Sequence, residues 1–228
     1  TGVYSTALNV GATTAAAVTV PVASVFGDDW RFGLGVWAVV GGNHRLSGGH
    51  RPHNSLWIID TAAAYIAEHG PVPLPPEDII ERLLDHVVAK VLTHVPWRPG
   101  AQELLAALAE RGVPCALVTM SYRKLAYAVV DALPAGRFAT VVAGDDVAHG
   151  KPHPEPYLLA AERLGVAPGE CAAIEDSLTG IASAEAAGVP TLAVTNLVEI
   201  PPGPGRRVVD TLAGWTPERL AQLPLGLG

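Results

Sequence analysis

Residues 1–27 carry no charged side chain, and no lysine or glutamate occurs before residue 54 of this 228-residue chain. Such a start raises the question of a membrane or secretory segment. The stretch has no basic n-region, and Thr, Asn, Ser, Gly and Pro21 interrupt it, so a cytoplasmic protein is expected. Cysteine is scarce. Cys115 and Cys171 each sit in an apolar run, VPCALV and ECAAI, and no CxxC pair exists. That excludes a zinc ribbon or a dithiol redox motif and predicts two buried, free thiols in a reducing compartment. Basic residues are also in the minority, 15 against 22 acidic, for a net charge of −7 and a pI near 5.5. No basic patch is available to neutralise phosphates, which excludes a nucleic-acid partner. There is no internal repeat.

What is present is a 49% hydrophobic chain, enough for a sizeable core in one domain with an insertion or in two small domains. Its character changes near Asn54. Residues 1–54 are rich in Gly, Ala, Val and Thr with little periodicity, an anomalous segment. From Ser55 a helix is predicted to His69, stopped by Gly70. Pro75 and Pro76 open a second helix, with Glu77 and Asp78 in the first turn where the helix dipole favours anions. Its apolar residues from Ile79 to Leu92 recur at three and four, one continuous face to about Val95. After Pro96 helices and short apolar runs alternate: helices at 99–111, 122–133, 154–164 and 178–187, strands at 113–118, 138–143, 171–174 and 189–194. That alternation predicts an α/β fold, a Rossmann-like three-layer parallel sheet, over residues 96–228, with 55–95 as a helical insertion. The tail from Pro201 is rich in Pro and Gly, with one short helix expected at 217–222.

In an open parallel sheet ligands bind beyond the carboxyl ends of the strands. Three groups fall there. Thr119 follows Val118, with Ser121 close behind. Lys151 follows Ala143 across the loop GDDVAHG. Glu175 and Asp176 follow Ile174. Mg2+ takes oxygen ligands, commonly one or two carboxylates with phosphate and water. A lysine is a compact cation for phosphate oxygens, and a hydroxyl beside helix N–H groups can hold another. Each group alone has a plainer reading. An acidic pair before a helix is usually a cap, a Gly-Lys-Pro loop a turn, and a strand-end Thr structural. His149 and His153, flanking Lys151, read as solvated. Ser177 and Thr179 read as capping residues. The order and common strand-end placement of the three groups argue for phosphate chemistry.

The same segments carry a resemblance. ALVTMS, GKPHPEPY and IEDSLTGIASAEAAGVPTLAV match the second, third and fourth motifs of the haloacid dehalogenase superfamily. The match is best to its β-phosphoglucomutase-like phosphatases and mutases, and it spans Trp97 to Val194. The resemblance implies catalytic and phosphate-binding roles for Thr119 and Lys151, with Ser121 assisting. It implies metal-binding roles for Glu175 and Asp176, with Mg2+ as cofactor. It also implies a cap built in part from 55–95 and a small phosphorylated metabolite, a sugar phosphate, as substrate of a monomeric enzyme. Arg98, in VPWRPG, receives no role.

The family's first motif, DxDGT, supplies an aspartate nucleophile and an aspartate acid/base. Its expected place, near Thr13 to Val20, reads TTAAAVTV. The earliest acids, Asp28 and Asp29, are adjacent. If either were the nucleophile, Trp30 or Arg31 would occupy the acid/base position, and neither shuttles a proton there. Two explanations stay open for residues 1–54: a reading-frame change upstream, or a true loss of catalysis that leaves a phosphate- or metal-binding relic. A third possibility treats the helix beginning at Pro76 as a docking face, although amphipathic helices usually bury that stripe within their own chain.

Overall fold

A computed structural model describes residues 55–69, 73–95, 97–195 and 199–223; of residues 55–59, 61 and 62 it describes the backbone alone. In chain order the elements are α1 (Ser55–His69), α2 (Pro76–Thr93), α3 (Ala101–Glu110), β1 (Ala116–Val118), α4 (Arg123–Asp131), β2 (Thr140–Val142), α5 (Glu155–Leu164), β3 (Ala173–Glu175), α6 (Leu178–Ala186), β4 (Thr191–Val194), β5 (Arg206–Val209) and α7 (Pro217–Leu220). Single 3-10 turns lie at Gly144–Asp146 and Pro168–Glu170.

Among the described residues the strands form two parallel groups. β1 pairs with β2, Val118 opposite Val142. β3 pairs with β4, Glu175 opposite Ala193, and β4 with β5, Val194 opposite Val209. Period-two alternation assigns the faces. Cys115, Ile174, Leu192 and Val194 face α3 and the C-terminal residues Leu212, Trp215 and Leu220, while Leu117 and Val141 face α4. Ala116, Val118, Val142 and Ala173 face α5 and α6 through Tyr157, Ala160, Ala161 and Ala184. Helices thus cover both faces, and α5 lies under residues of both strand groups. The result is the expected three-layer α/β/α core. Both cysteines are buried thiols that form no disulfide.

Helix α3 shows the local logic. Leu104, Leu105 and Leu108 recur at helical spacing and are fully buried, each contributing about 1.5–3 kcal/mol. The helix starts at Gly100, whose φ is 82° and whose Cβ, if present, would lie 2.1 Å from the Leu212 carbonyl carbon. Glycine is required there twice over, by conformation and by contact. The apolar stripe of α2 is divided. Ile79 and Leu83 pack on α1, and Leu84, Val87 and Val91 pack on Leu125 and Val129 of α4. Most of its face is spent within the chain, against the core helix as well as α1, while Leu92 stays exposed. Strand β5 corrects the sequence reading, which gave the tail a single helix. Its four residues, two of them arginines, lack the apolar run that marks the other strands.

Candidate functional site

The carboxyl ends of β1 and β3 present the expected groups. Thr119 continues β1, its N–H donating to Val142 O at 2.8 Å, and its hydroxyl accepts the Ser121 N–H at 3.2 Å. Both side chains are buried. The turn is tied to the end of β2 by the Gly144 N–H, which donates to Ser121 O at 2.9 Å.

Lys151 reaches this corner from the loop before α5. Its Nζ donates to Val118 O at 3.1 Å and to Glu175 Oε1 at 2.5 Å, and its backbone N–H faces the Met120 sulfur at 3.3 Å. It therefore holds both chain neighbours of Thr119. The side chains of Lys151 and Glu175 are 4% and 0% exposed, so the pair is fully desolvated. Burying two charges is costly unless their geometry and remaining hydrogen bonds are satisfied. Here they are. Glu175 Oε1 also accepts from Tyr157 Oη at 2.6 Å, and Oε2 accepts the Ser177 hydroxyl at 3.2 Å and the Asp176 N–H at 3.3 Å. The Lys151 ammonium lies 5.1 Å from the centre of the Tyr157 ring. Burial first, and then the Glu175 charge, push the Tyr157 phenol well above its ordinary pKa, which keeps it a donor.

Ser177 is the N-cap of α6, its hydroxyl oxygen accepting the Gly180 N–H at 3.1 Å, as expected. Thr179 is an exposed residue inside that helix. Asp176 is partly exposed beside the sealed Glu175. The two carboxylates treated alike in the sequence therefore have different surroundings. One grips the lysine inside the corner and the other is only partly buried. Asp28 and Asp29 lie outside the described residues.

Two residues of this corner escaped the sequence reading. Tyr157 looks like one more apolar residue of α5, although a buried tyrosine needs a partner for its hydroxyl. Gly180 lies in the first turn of α6, where a Cβ would come 2.2 Å from the Glu175 carboxylate. A glycine placed inside a helix was the available signal. Arg98 donates to Thr195 O at 2.9 Å, joining the entry of α3 to the end of β4. Tyr122 donates to the Asp60 carboxylate of α1, and Lys124 pairs with Glu81 and with Asp85 of α2, so the N-terminal helices are tied to the residues after Ser121.

A parallel α/β sheet covered on both faces, with a cation and acids gathered at the carboxyl ends of two strands, defines an open α/β protein, a class whose ligands bind beyond the carboxyl ends of the strands. A family model described as haloacid dehalogenase-like hydrolase matches residues 48–188. The chain belongs to that family, and it resembles the phosphatase and β-phosphoglucomutase-like members of it. The match begins close to Asn54, where the composition changes. The chain is 36% identical over 119 residues to the phosphoglycolate phosphatase of Escherichia coli (strain K12), covering 51% of this chain and 47% of that protein. It is 38% identical over 120 residues to hexitol phosphatase A of the same organism, 52% and 55% of the two chains. The chain thus spans about half the length of these curated relatives. Among solved structures, CbbY from Rhodobacter sphaeroides in complex with phosphate superposes with a TM-score of 0.69 at 23% identity, covering 96% of this chain and 99% of that one. That likeness shows the fold. Among the described residues no helix is long and apolar enough to cross a membrane.

Proposed function

We propose that this chain is built for metal-assisted phosphoryl chemistry on a small phosphorylated metabolite, a sugar phosphate, with Mg2+ as the cation. One observation carries the reading: the Lys151 ammonium is held between Val118 O and Glu175 at the carboxyl ends of two parallel strands, beside two buried hydroxyls. Thr119, Ser121 and Lys151 bind the phosphate, its negative charge answering the lysine. Residues 55–95 act as part of a cap over this edge, and 96–228 form the core. The protein acts as a cytoplasmic monomer.

The donor set suits a hard dication. Asp176 offers a partly exposed carboxylate next to the phosphate-binding corner, the oxygen type that Mg2+ takes. Glu175 already accepts from Lys151 and Tyr157 through Oε1 and from Ser177 and the Asp176 N–H through Oε2, and an ion would have to compete with these bonds. The geometry therefore favours Asp176 as the ligand, with Glu175 as the group that fixes Lys151. When bound, Mg2+ neutralises charge shared between carboxylate and phosphate oxygens. The chain's own residues do the rest: Thr119 and Ser121 orient the phosphate, and Glu175 holds the lysine side chain in place.

A specific observation favours a second reading beside this one. No D-x-D occurs anywhere in the sequence, so no pair of aspartates has the spacing for nucleophile and acid/base. We infer that turnover is weak or absent and that phosphate and metal binding persist. The test measures Mg2+-dependent hydrolysis of p-nitrophenyl phosphate alongside calorimetric phosphate binding, for the full chain, Lys151→Ala and Asp176→Ala. Expected are negligible turnover and phosphate binding that Lys151→Ala abolishes. Clear turnover lost in Asp176→Ala would overturn the impairment and keep the chemistry. Phosphate binding indifferent to Lys151 would overturn the site.

A further inference from the structure

We propose that His149, His153 and Glu155 form a second metal site, selective for zinc-class ions over magnesium. The three side chains come from one short stretch around Lys151, and their ligand atoms all lie within 4.8 Å of one another. His149 Nδ1 is 2.8 Å from Glu155 Oε2, and His153 Nδ1 is 3.9 Å from the same oxygen. These spacings bracket the distance of about 3.3 Å that neighbouring ligands keep around a tetrahedral zinc with bonds near 2.0–2.1 Å. The two imidazoles lie together, ring centres 4.6 Å apart.

The carboxylate is fixed before any ion arrives. Glu155 Oε1 accepts the Ala148 N–H at 2.7 Å, and Oε2 accepts the His149 N–H at 2.9 Å as well as the His149 ring. These bonds hold Glu155 ionised, its pKa lowered mainly by the Ala148 N–H. An ion entering here takes the place of the hydrogen bond between His149 Nδ1 and Glu155, the neutral imidazole then carrying its single N–H on Nε2. His153 Nδ1 accepts the Glu155 N–H at 3.2 Å, which leaves its Nε2 or, after a small ring turn, Nδ1 for the ion. Both imidazoles are at least half exposed, so water can complete the coordination shell. Two nitrogen donors and one oxygen suit zinc, cobalt, nickel or copper, whereas magnesium prefers oxygen alone. The site is chemically distinct from Asp176 and independent of any turnover. Its ligands flank Lys151, so an ion here pins both ends of the loop that carries the buried lysine.

The test titrates the full chain with Zn2+ against a chromophoric chelator in excess Mg2+. The comparison set is His149→Ala, His153→Ala and, as a control on α2, His86→Ala. Losing a direct ligand costs at least the roughly tenfold that a lost outer-shell partner costs. Each of the first two variants is therefore expected to bind Zn2+ at least that much more weakly, with His86→Ala unchanged. Amide exchange of the unsubstituted chain supplies a second readout: Zn2+ should slow exchange at 148–155. Zinc affinity equal in all four proteins, competition by Mg2+, or slowing confined to other segments would each overturn the site.

Discussion

The Lys151 ammonium and the Glu175 carboxylate, 24 residues apart in sequence, meet at 2.5 Å in a corner sealed from solvent. Removing one partner strands the other charge, a loss of about 3–5 kcal/mol for a buried pair. Glu175→Ala should fall in that range in urea unfolding. Lys151→Met combined with Glu175→Leu should recover most of it, because the stranded charge is gone. Recovery will be incomplete, since the Tyr157 hydroxyl then has no carboxylate to donate to. A double variant as unstable as the single would show that the pair acts through something other than its charges.

Gly180 should tolerate no side chain. Its hypothetical Cβ meets the Glu175 carboxylate at 2.2 Å, and that carboxylate is held by Lys151, Tyr157 and Ser177. Gly180→Ala must shift α6 or the carboxylate, at a cost of about 1–3 kcal/mol for an overpacked site. Gly169 has nothing within 4 Å and no positive φ. Gly169→Ala should be neutral or stabilising by reducing the freedom of the unfolded chain. Paired thermal melts of the two variants separate the contact from the generic effect of adding a methyl group.

The split between Glu175 and Asp176 also shows where sequence reading stops. Strand and helix alternation from Ala101 to Val194 was legible because each apolar run is bounded by Gly or Pro and has the right period. The strands came out shorter than expected, β1 beginning at Ala116 rather than 113, because pairing and not hydrophobicity sets their ends. Thr119, Lys151 and the acidic pair were legible from order along the chain. Their partners were not. Tyr157 and Gly180 serve the site through contacts that join separate elements, and such contacts leave no local pattern. The cluster of His149 and His153 with Glu155 was missed for a related reason: Glu155 reads as a helix-start acid, and only the folded loop turns it toward both rings.

Tyr157→Phe should cost about 1–3 kcal/mol, the expected loss when a buried acceptor is deprived of a donor. The same substitution has a spectroscopic signature. The Tyr157 phenol is held well above its ordinary pKa, by burial first and then by Glu175. In the folded chain it should not ionise as pH is raised through the normal tyrosine range. An alkaline spectrophotometric titration should therefore show the same number of normally titrating tyrosines in Tyr157→Phe as in the unsubstituted chain. One fewer in the variant would mean that Tyr157 is open to solvent.

Lys124 of α4 is tied to α2 through Asp85, at 2.7 Å, and through Glu81. Its pKa is raised, first by the Asp85 bond and then by the Glu81 bond. A lysine whose folded pKa exceeds its unfolded value stabilises fully below the unfolded value of 10.5 and loses that contribution as pH rises through the folded one. Lys124→Met should therefore lower the melting temperature at neutral pH, and the gap to the unsubstituted chain should narrow above pH 10.5. All three side chains are more than a third exposed, so the loss is small, under about 1 kcal/mol, and should shrink further in molar salt. Most of the α2–α4 contact is apolar, Leu84, Val87 and Val91 against Leu125 and Val129, so Val87→Ala should loosen α2 more than loss of the charges does. Amide exchange along 76–93 in the two variants ranks the contributions, and faster exchange in Lys124→Met than in Val87→Ala would show that charge, not packing, holds α2 against α4.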